Sequence, residues 1–296
     1  MTFSRAKQQG FSFTNRGAQP IESGDADYPE QLRDLPSAPK SLWCSGRLPA
    51  RGQRLIAIVG ARAASRAGCD HAQALAADLG RGGAAIVSGG AFGIDAAAHE
   101  GALANGASTF AILGCGIDVV YPDRHVDLFA RIAATGGLLS EYPPGTKPRA
   151  GQFPARNRII AGLAQAVIVV EAALRSGALI TAKLGRQYGK ILFAVPGSAG
   201  TDAYLRAGLA MPATSAGDVE RVLAGGQPAS LPAVPLTGPM APLLDAIAQG
   251  TNTAAGLCEC LGMRLPSILA ILAEAELEGS VRRAAGNTYE VIGRVC

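Results

Sequence analysis

Rings and charges are scarce in this chain. Aromatic residues make up 5% and charged residues 17% of its 296 positions. Any surface that stacks planar ligands must therefore rest on very few side chains. With 48% hydrophobic residues the chain belongs to the globular class, not the disordered one. The six cysteines (Cys44, Cys69, Cys115, Cys258, Cys260, Cys296) show no paired spacing, and a chain of this length needs no disulfide framework, so a reducing cytoplasm is the expected compartment. No apolar run approaches the length needed to cross a bilayer, and no membrane is expected. The opening MTFSRAKQQGFSFTNRG has cations with no apolar stretch behind them, so no signal peptide is expected either.

Several sites of chemistry are missing as well. His71, His99 and His125 are scattered without metal spacing, Gly-x-Ser-x-Gly is absent, and Cys258-x-Cys260 lies in an amphipathic helix where core packing explains it. No Gly-x-Gly-x-x-Gly follows the first strand, and the second strand ends in Ser88 rather than in an acid for ribose hydroxyls. The run from Gly185 to Lys190 is one residue short of a P-loop, lacks the following Ser or Thr, and precedes a strand. Neither a metal nor a cofactor is expected, and no catalytic residue is assigned.

What the chain does have is alternation. Apolar runs of strand length (Leu55–Val59, Ala84–Val87, Thr109–Leu113, Leu138–Leu139, Ala166–Val170, Ile191–Val195) alternate with Ala-rich helical stretches such as 65–80, 94–104, 154–164 and 176–189. Near-continuous apolar strands between helices predict a doubly wound, mostly parallel sheet covered on both faces. Ligands on such sheets bind at the carboxyl ends of the strands. Residues 1–24 read as a flexible arm, 25–223 as the α/β domain, with 25–53 a short capping segment of Pro-set turns, and 224–239 (AGGQPASLPAVPLTGP) as a linker. Residues 240–296 read as three short helices and a hairpin turning at Gly286-Asn287, the order of a winged helix.

Net charge is +4, and its distribution is uneven. Between Tyr142 and Thr201 lie Lys147, Arg149, Arg156, Arg158, Arg175, Lys183, Arg186 and Lys190 against Glu171 alone, which is +7 and leaves −3 for the rest. A basic segment in a mildly acidic chain predicts a polyanionic partner. The strand ends point the same way. Val59-Gly60-Ala61-Arg62, Ser88-Gly89-Gly90-Ala91-Phe92-Gly93, Gly114-Cys115-Gly116 and Arg175-Ser176-Gly177 are rich in small and cationic residues, and two Ser-Gly steps open helices. Glycine lets a backbone approach a phosphate, and a helix N-terminus aims N–H groups at it. Phe153-Pro-Ala-Arg156-Asn157-Arg158 adds two cations, an amide and one ring, the mixture that holds single-stranded nucleic acid by charge and stacking. Core packing for Phe153 and pairing of the arginines with Glu141 or Glu171 is the competing reading.

Together IAIVGAR, VSGGAFGIDAAAHEGAL, AILGCGIDVVYP, LLSEYPPGTKP, FPARNRIIAGL, VIVVEAALRSGALITAKL and FAVPGS resemble the DNA-processing protein A family (DprA, also called Smf) from about Tyr28 to about Ile292. The resemblance implies an extended Rossmann-like fold, single-stranded DNA as ligand, a homodimer, and a role in natural transformation, where the family loads the RecA recombinase onto incoming strands. By position it places Arg62, Ser88, Gly89, Gly93, Lys147, Phe153, Arg156, Arg158, Ser176 and Gly177 on DNA-facing loops; Asn157 and Lys183 complete the candidate set. The chain departs from the family pattern at Ala61 (Ser), Phe92 (a basic residue), Arg175 (Lys), Ala178 (Ser) and Asp202 (Asn).

Two rivals stand beside this reading. A nucleotide phosphoribohydrolase of the lysine-decarboxylase-like (LOG) type carries Pro-Gly-Gly-x-Gly-Thr-x-x-Glu, whereas here Pro196 to Thr201 is followed by Asp202, Ala203 and Tyr204, so the acid needed for proton transfer is missing. A winged-helix transcription regulator would read duplex DNA, yet residues 236–296 carry four arginines against six acids. Glu274, Glu276 and Glu278 at the end of the third helix predict protein contact instead.

Overall fold

The computed structural model describes residues 20–229, 240–277 and 280–292. Most of the expected arm and residues 230–239 of the expected linker lie outside these. The chain divides into two compact units, one holding residues up to Thr201 with Ala210–Ala229, the other holding Asp202–Leu209 and the residues from Ser230 onward.

The larger unit is built on one sheet. Among the described residues its strands are β1 (Ile21–Glu22), β2 (Ser41–Gly46), β3 (Leu55–Val59), β4 (Ala85–Ser88), β5 (Thr109–Ile112), β6 (Gly137–Ser140), β7 (Ala166–Val169), β8 (Ile191–Ala194) and β9 (Met211–Pro212). They lie in the order β1-β2-β6-β5-β4-β3-β7-β8-β9. The six apolar runs named above are β3 to β8, and from β6 to β9 all pairs are parallel. All five residues of β3 are buried, because helices cover both faces and a polar face would have no water.

The segment 25–53 departs from its expectation as a capping segment only. It supplies β2, which pairs antiparallel with β6 at Trp43–Ser140 and Cys44–Leu139, and β2 in turn carries β1. In SLWCSG only Leu42 and Ser45 are buried, three positions apart, so no two-residue alternation marks it as a strand.

The helices of the chain up to residue 229 are α1 (Glu30–Arg33), α2 (Arg66–Arg81), α3 (Ile94–Ala104), α4 (Val126–Thr135), α5 (Gln152–Leu163), α6 (Gly177–Gln187), α7 (Ala199–Arg206) and α8 (Ala216–Leu223). Leu75 and Leu79 of α2, Ile94 and Ala98 of α3 and Val219 of α8 close over Ile56, Ile58, Ile86, Ile168 and Phe193. A second cluster joins Phe129 and Ile132 of α4 to Ala111 and Leu138. Burying each of these leucine, isoleucine, valine and phenylalanine side chains stabilises the fold by about 1.5–3 kcal/mol. The α2–α3 contact depends on Gly101, where an added methyl would lie 2.1 Å from the Gln73 carbonyl oxygen. Substituting even alanine there forces the two helices apart. Helix α5 begins at Gln152, two residues before the expected start, and Pro154 sits in its first turn, where its missing N–H costs nothing.

The smaller unit contains α9 (Met240–Ala248), α10 (Ala254–Leu261), α11 (Leu265–Leu277) and a hairpin of β10 (Val281–Ala284) and β11 (Thr288–Val291). Leu243, Ile247, Leu257, Ile268, Leu272, Val281 and Tyr289 form its own core. The Thr253 hydroxyl caps α10 by accepting from the Gly256 N–H, and Gly262 ends that helix in the left-handed region. Gly286 and Asn287 both take positive φ in the turn between the strands. The side chain of Glu274, and Glu278 altogether, lie outside the described residues. Among the described residues no single helix is long and apolar enough to cross a membrane; α10 with Leu265–Ala273 passes only as a pair, and that pair is bent by 115°.

Candidate nucleic-acid interface

Strand order reverses at β3. The chain moves from β3 through β4 and β5 to β6 on one side, then returns to place β7 on the other. The loops that leave β3 and β7 therefore diverge and open a crevice at the carboxyl ends. It has a volume of about 200 Å³ and is lined by Val59 and Gly60 from β3 and its loop, Ala91 and Asp95 from the start of α3, Phe153, Arg156 and Asn157 from α5, and Ser176, Gly177 and Thr181 from the start of α6.

The floor of this crevice is occupied by the protein's own polar groups. Arg156 is 4% exposed. Its Nη1 donates to the Gly89 carbonyl at 2.6 Å and to the Ile112 carbonyl, and its Nε donates to Asn157 Oδ1 at 3.2 Å. Asp95, equally buried, accepts the N–H groups of Gly89 and Ala91. Burial pushes the Asp95 carboxyl up, against the pull of the neighbouring Arg156. Burial likewise draws the Arg156 guanidinium down to about 10, which still leaves it charged at neutral pH. The expectation of Arg156 as a phosphate ligand is therefore corrected: its donors hold the ends of β4 and β5 together. Ser88 is corrected too, since it is fully buried and its hydroxyl donates to the Ile58 carbonyl at 2.6 Å. Gly93, at φ +74°, is needed because a methyl there would lie 2.3 Å from the Ala61 carbonyl, and a methyl on Gly89 would strike Arg156 and Asp95. Both glycines serve internal packing.

Two of the expected anion-binding loops are already filled. Glu171 accepts from the Ser65 N–H at 3.1 Å and from its hydroxyl at 2.6 Å, so a carboxylate of the chain itself sits at the N-terminus of α2. Asp95 does the same for the amides after β4. At α6 the situation differs. Ser176 caps the helix by accepting from the Ala178 N–H, Asn157 donates across to the Gly177 carbonyl, and Gly177 is exposed in the crevice, where an added methyl would have nothing within 4 Å. Its helix dipole and small residues leave room for an anion.

The rim carries charge and rings. Arg62 is exposed, and its guanidinium lies 5.2 Å from the centroid of the half-buried Phe153 ring. The Tyr121 ring lies 5.3 Å from that of Phe153, tilted by 38°. Phe92 stands edge-on to His125 at 4.8 Å, and His125 to Phe129 at 5.9 Å. Because a carbonyl only accepts, His125 Nδ1 donates to the Gly90 oxygen at 3.0 Å. The sequence points to the Phe153 ring but not to its contact with Tyr121. The pattern Val-Val-Tyr-Pro places Tyr121 at the end of a buried loop, and nothing local in the sequence turns it toward Phe153.

The remaining candidates are dispersed. Lys147 and Lys183 are exposed but do not line the crevice. Arg158 does not line it either. Its two terminal nitrogens donate to the Glu141 carboxylate at 2.6 and 2.7 Å, its Nε donates to the Ser37 carbonyl, and the bonds it donates to Glu141 raise its pKa. Of the eight cations in the basic segment, Lys147, Arg149, Arg175, Lys183 and Arg186 are exposed.

A doubly wound, mostly parallel sheet with a crevice at its switch point defines an α/β protein of the Rossmann-like class. Comparison with known proteins narrows this. The profile of DNA recombination-mediator protein A matches residues 19–223. DNA processing protein DprA of Mycobacterium tuberculosis, a putative assignment in that organism, is 36% identical over an alignment that covers 90% of this chain and 82% of that one. Protein Smf of a Synechocystis strain is 44% identical over 187 residues, 62% of this chain and 47% of that protein, so the matched part is about half of that relative's length. Among solved structures, DNA processing protein A of Streptococcus pneumoniae superposes with a TM-score of 0.66 at 39% identity, covering 72% of this chain and 75% of that one. That of Helicobacter pylori gives 0.62 at 33% identity, covering 70% and 95%. The chain belongs to the DprA/Smf family of DNA processing proteins.

Proposed function

We propose that the protein holds single-stranded DNA at this crevice and breaks no bond there. The observation that carries the reading is Arg62 lying over Phe153 beside the open N-terminus of α6. One phosphate and one base of a strand need a cation, free amides and a ring within reach of one another. A duplex keeps its bases stacked on each other and cannot use the ring. The Helicobacter pylori relative, solved in a study of its single-stranded-DNA binding mode, supports this choice of ligand. Lys147, Lys183 and the other exposed cations of the basic segment extend the electrostatic track. Asp95 is the acid nearest the ligand space, and its engagement with two amides and Arg156 argues against a general acid or base. Family membership extends the proposal to a homodimer that protects incoming strands in natural transformation and loads RecA onto them. The C-terminal unit is read as a winged helix, with residues 240–296 serving protein contact.

The test compares binding of a single strand, a duplex of equal length and nucleoside monophosphates, with a hydrolysis assay on the last. A strong preference for the single strand and no release of ribose 5-phosphate is the expected result. Equal affinity for duplex, or turnover abolished by Arg62→Ala, would overturn it.

A further inference from the structure

Beside the phosphate crevice lies a smaller cleft of about 40 Å³ between the loop after β4 and the loop that carries Tyr121. Phe92 and Tyr121 on its two sides are each 43% exposed. One exposed ring on a protein surface is ordinary; two that face one cleft, in a chain with 5% aromatics, are not explained by packing. Phe92 is also held in place. It stands on His125, which is tethered to the Gly90 carbonyl and backed in turn by buried Phe129. A ring fixed this way loses little freedom when a ligand stacks on it.

We propose that this cleft is a second base-stacking position, where an unpaired nucleobase lies on Phe92 opposite Tyr121, next to the base carried by Phe153. The inference rests on the single-strand reading above. The occupant follows from continuity: Arg62, Ala91 and Phe153 line both the crevice and the cleft. A strand whose phosphate sits at the crevice brings its neighbouring base to the cleft, with the Arg62 guanidinium at the boundary to meet the phosphate between them. Gly89, Gly90, Ala91, Pro122 and Arg156 complete its wall, and Arg156 directs its donors to the Gly89 and Ile112 carbonyls and to Asn157 rather than to a base edge. The position therefore accepts any base and discriminates against strands that lack one.

The test uses the full chain, a thymidine oligonucleotide, the same oligonucleotide with abasic sites, and a version carrying 2-aminopurine. Phe92→Leu keeps the apolar bulk and removes the ring. It should weaken binding of the intact strand about tenfold, a stacking contribution of ordinary size, with no change in the salt slope and no loss toward the abasic strand. In the unaltered protein 2-aminopurine fluorescence should fall on binding, and Phe92→Leu and Tyr121→Leu should each restore part of it. Intact-strand binding by Phe92→Leu within twofold of the unaltered protein, or equal weakening toward intact and abasic strands, would overturn the second position alone. Failure of the unaltered protein to bind either strand would overturn the single-strand reading and this position with it.

Discussion

Arg156 and Arg62 line the same crevice, one at its floor and one at its rim, and they do different work with the same guanidinium. Arg156 directs its donors into two main-chain carbonyls and Asn157 beside buried Asp95. Arg62 is exposed over a ring. A buried cation whose donors are engaged fixes the geometry of loops; an exposed one meets ligands. The contrast predicts that changes at the floor are read as stability and changes at the rim as affinity.

The largest effect belongs to Arg156→Ala. It would leave Asp95 buried without its cation and two carbonyls without a donor. Losing a buried neighbouring cation costs at most about 3–5 kcal/mol, the cost of breaking a buried pair, and each unpaired buried carbonyl about 1–3 kcal/mol. For a unit of this size that lowers the melting temperature by about 10 °C. Calorimetry checks it, and a variant that melts with the unaltered protein while losing DNA would move Arg156 from floor to rim.

The second effect also comes from the floor and is a dependence on pH. Thr109 Oγ1 donates to the Ile86 carbonyl, so it accepts from His99 Nδ1–H at 2.7 Å, and His99 Nε2 is left buried without a partner. Burial, with the neighbouring His125 and Arg156 charges, draws His99 from 6.5 down to about 3. The unfolded chain therefore binds a proton that the folded chain refuses. Stability is complete above pH 6.5 and falls as the pH drops from 6.5 toward 3, by about 2 kcal/mol between pH 7 and pH 5. Denaturant titrations at the two pH values measure this, and His99→Gln should flatten the difference. An unchanged difference in that variant would assign the acid sensitivity elsewhere.

At the rim the expected effect is smaller in energy and different in kind. Arg62→Ala should weaken single-strand binding about tenfold and flatten the dependence of log affinity on log salt by about 0.7, the share of one phosphate. Its melting temperature should stay with the unaltered protein. A tenfold or larger loss of affinity with an unchanged slope would mean that Arg62 acts by orienting Phe153 rather than by charge.

Strands β3 to β8 could be read from the sequence because burial on both faces imposes unbroken apolar runs, and the crevice could be placed because strand ends are where glycines and helix starts meet. The family motifs pointed to the ligand class proposed above. Partnership across the fold could not be read. Glu171 stands 106 residues from Ser65, and Arg156 stands 67 from the Gly89 carbonyl it holds. Ser88 looked like an exposed donor because a Ser-Gly step before a helix usually is one; here the strand runs one residue further and takes the hydroxyl inside. Strand β2, second from the edge of the sheet, escaped because a partly covered strand shows neither a solid apolar run nor clean alternation.

The same blindness to partners explains the smallest expected effect, at Arg158. The basic segment from Tyr142 to Thr201 begins one residue after Glu141, so its +7 includes Arg158 without the carboxylate that neutralises it. In the structure both terminal nitrogens of Arg158 are forked onto that carboxylate, its Nε is bonded to Ser37, and its side chain is only 18% exposed. A phosphate would have to displace Glu141 to use it, exchanging one charge-assisted pair for another with little gain. Arg158→Ala should therefore leave the salt slope unchanged and the single-strand affinity within twofold, where Arg62→Ala moves both. It should still lower the melting temperature by a few degrees, because Glu141 loses its partner, and Glu141→Gln in the same chain should recover part of that loss. Titrations of the two arginine variants side by side over a range of salt decide the matter. A slope that falls by about 0.7 in Arg158→Ala would show that the fork opens when DNA binds and would extend the rim to Arg158.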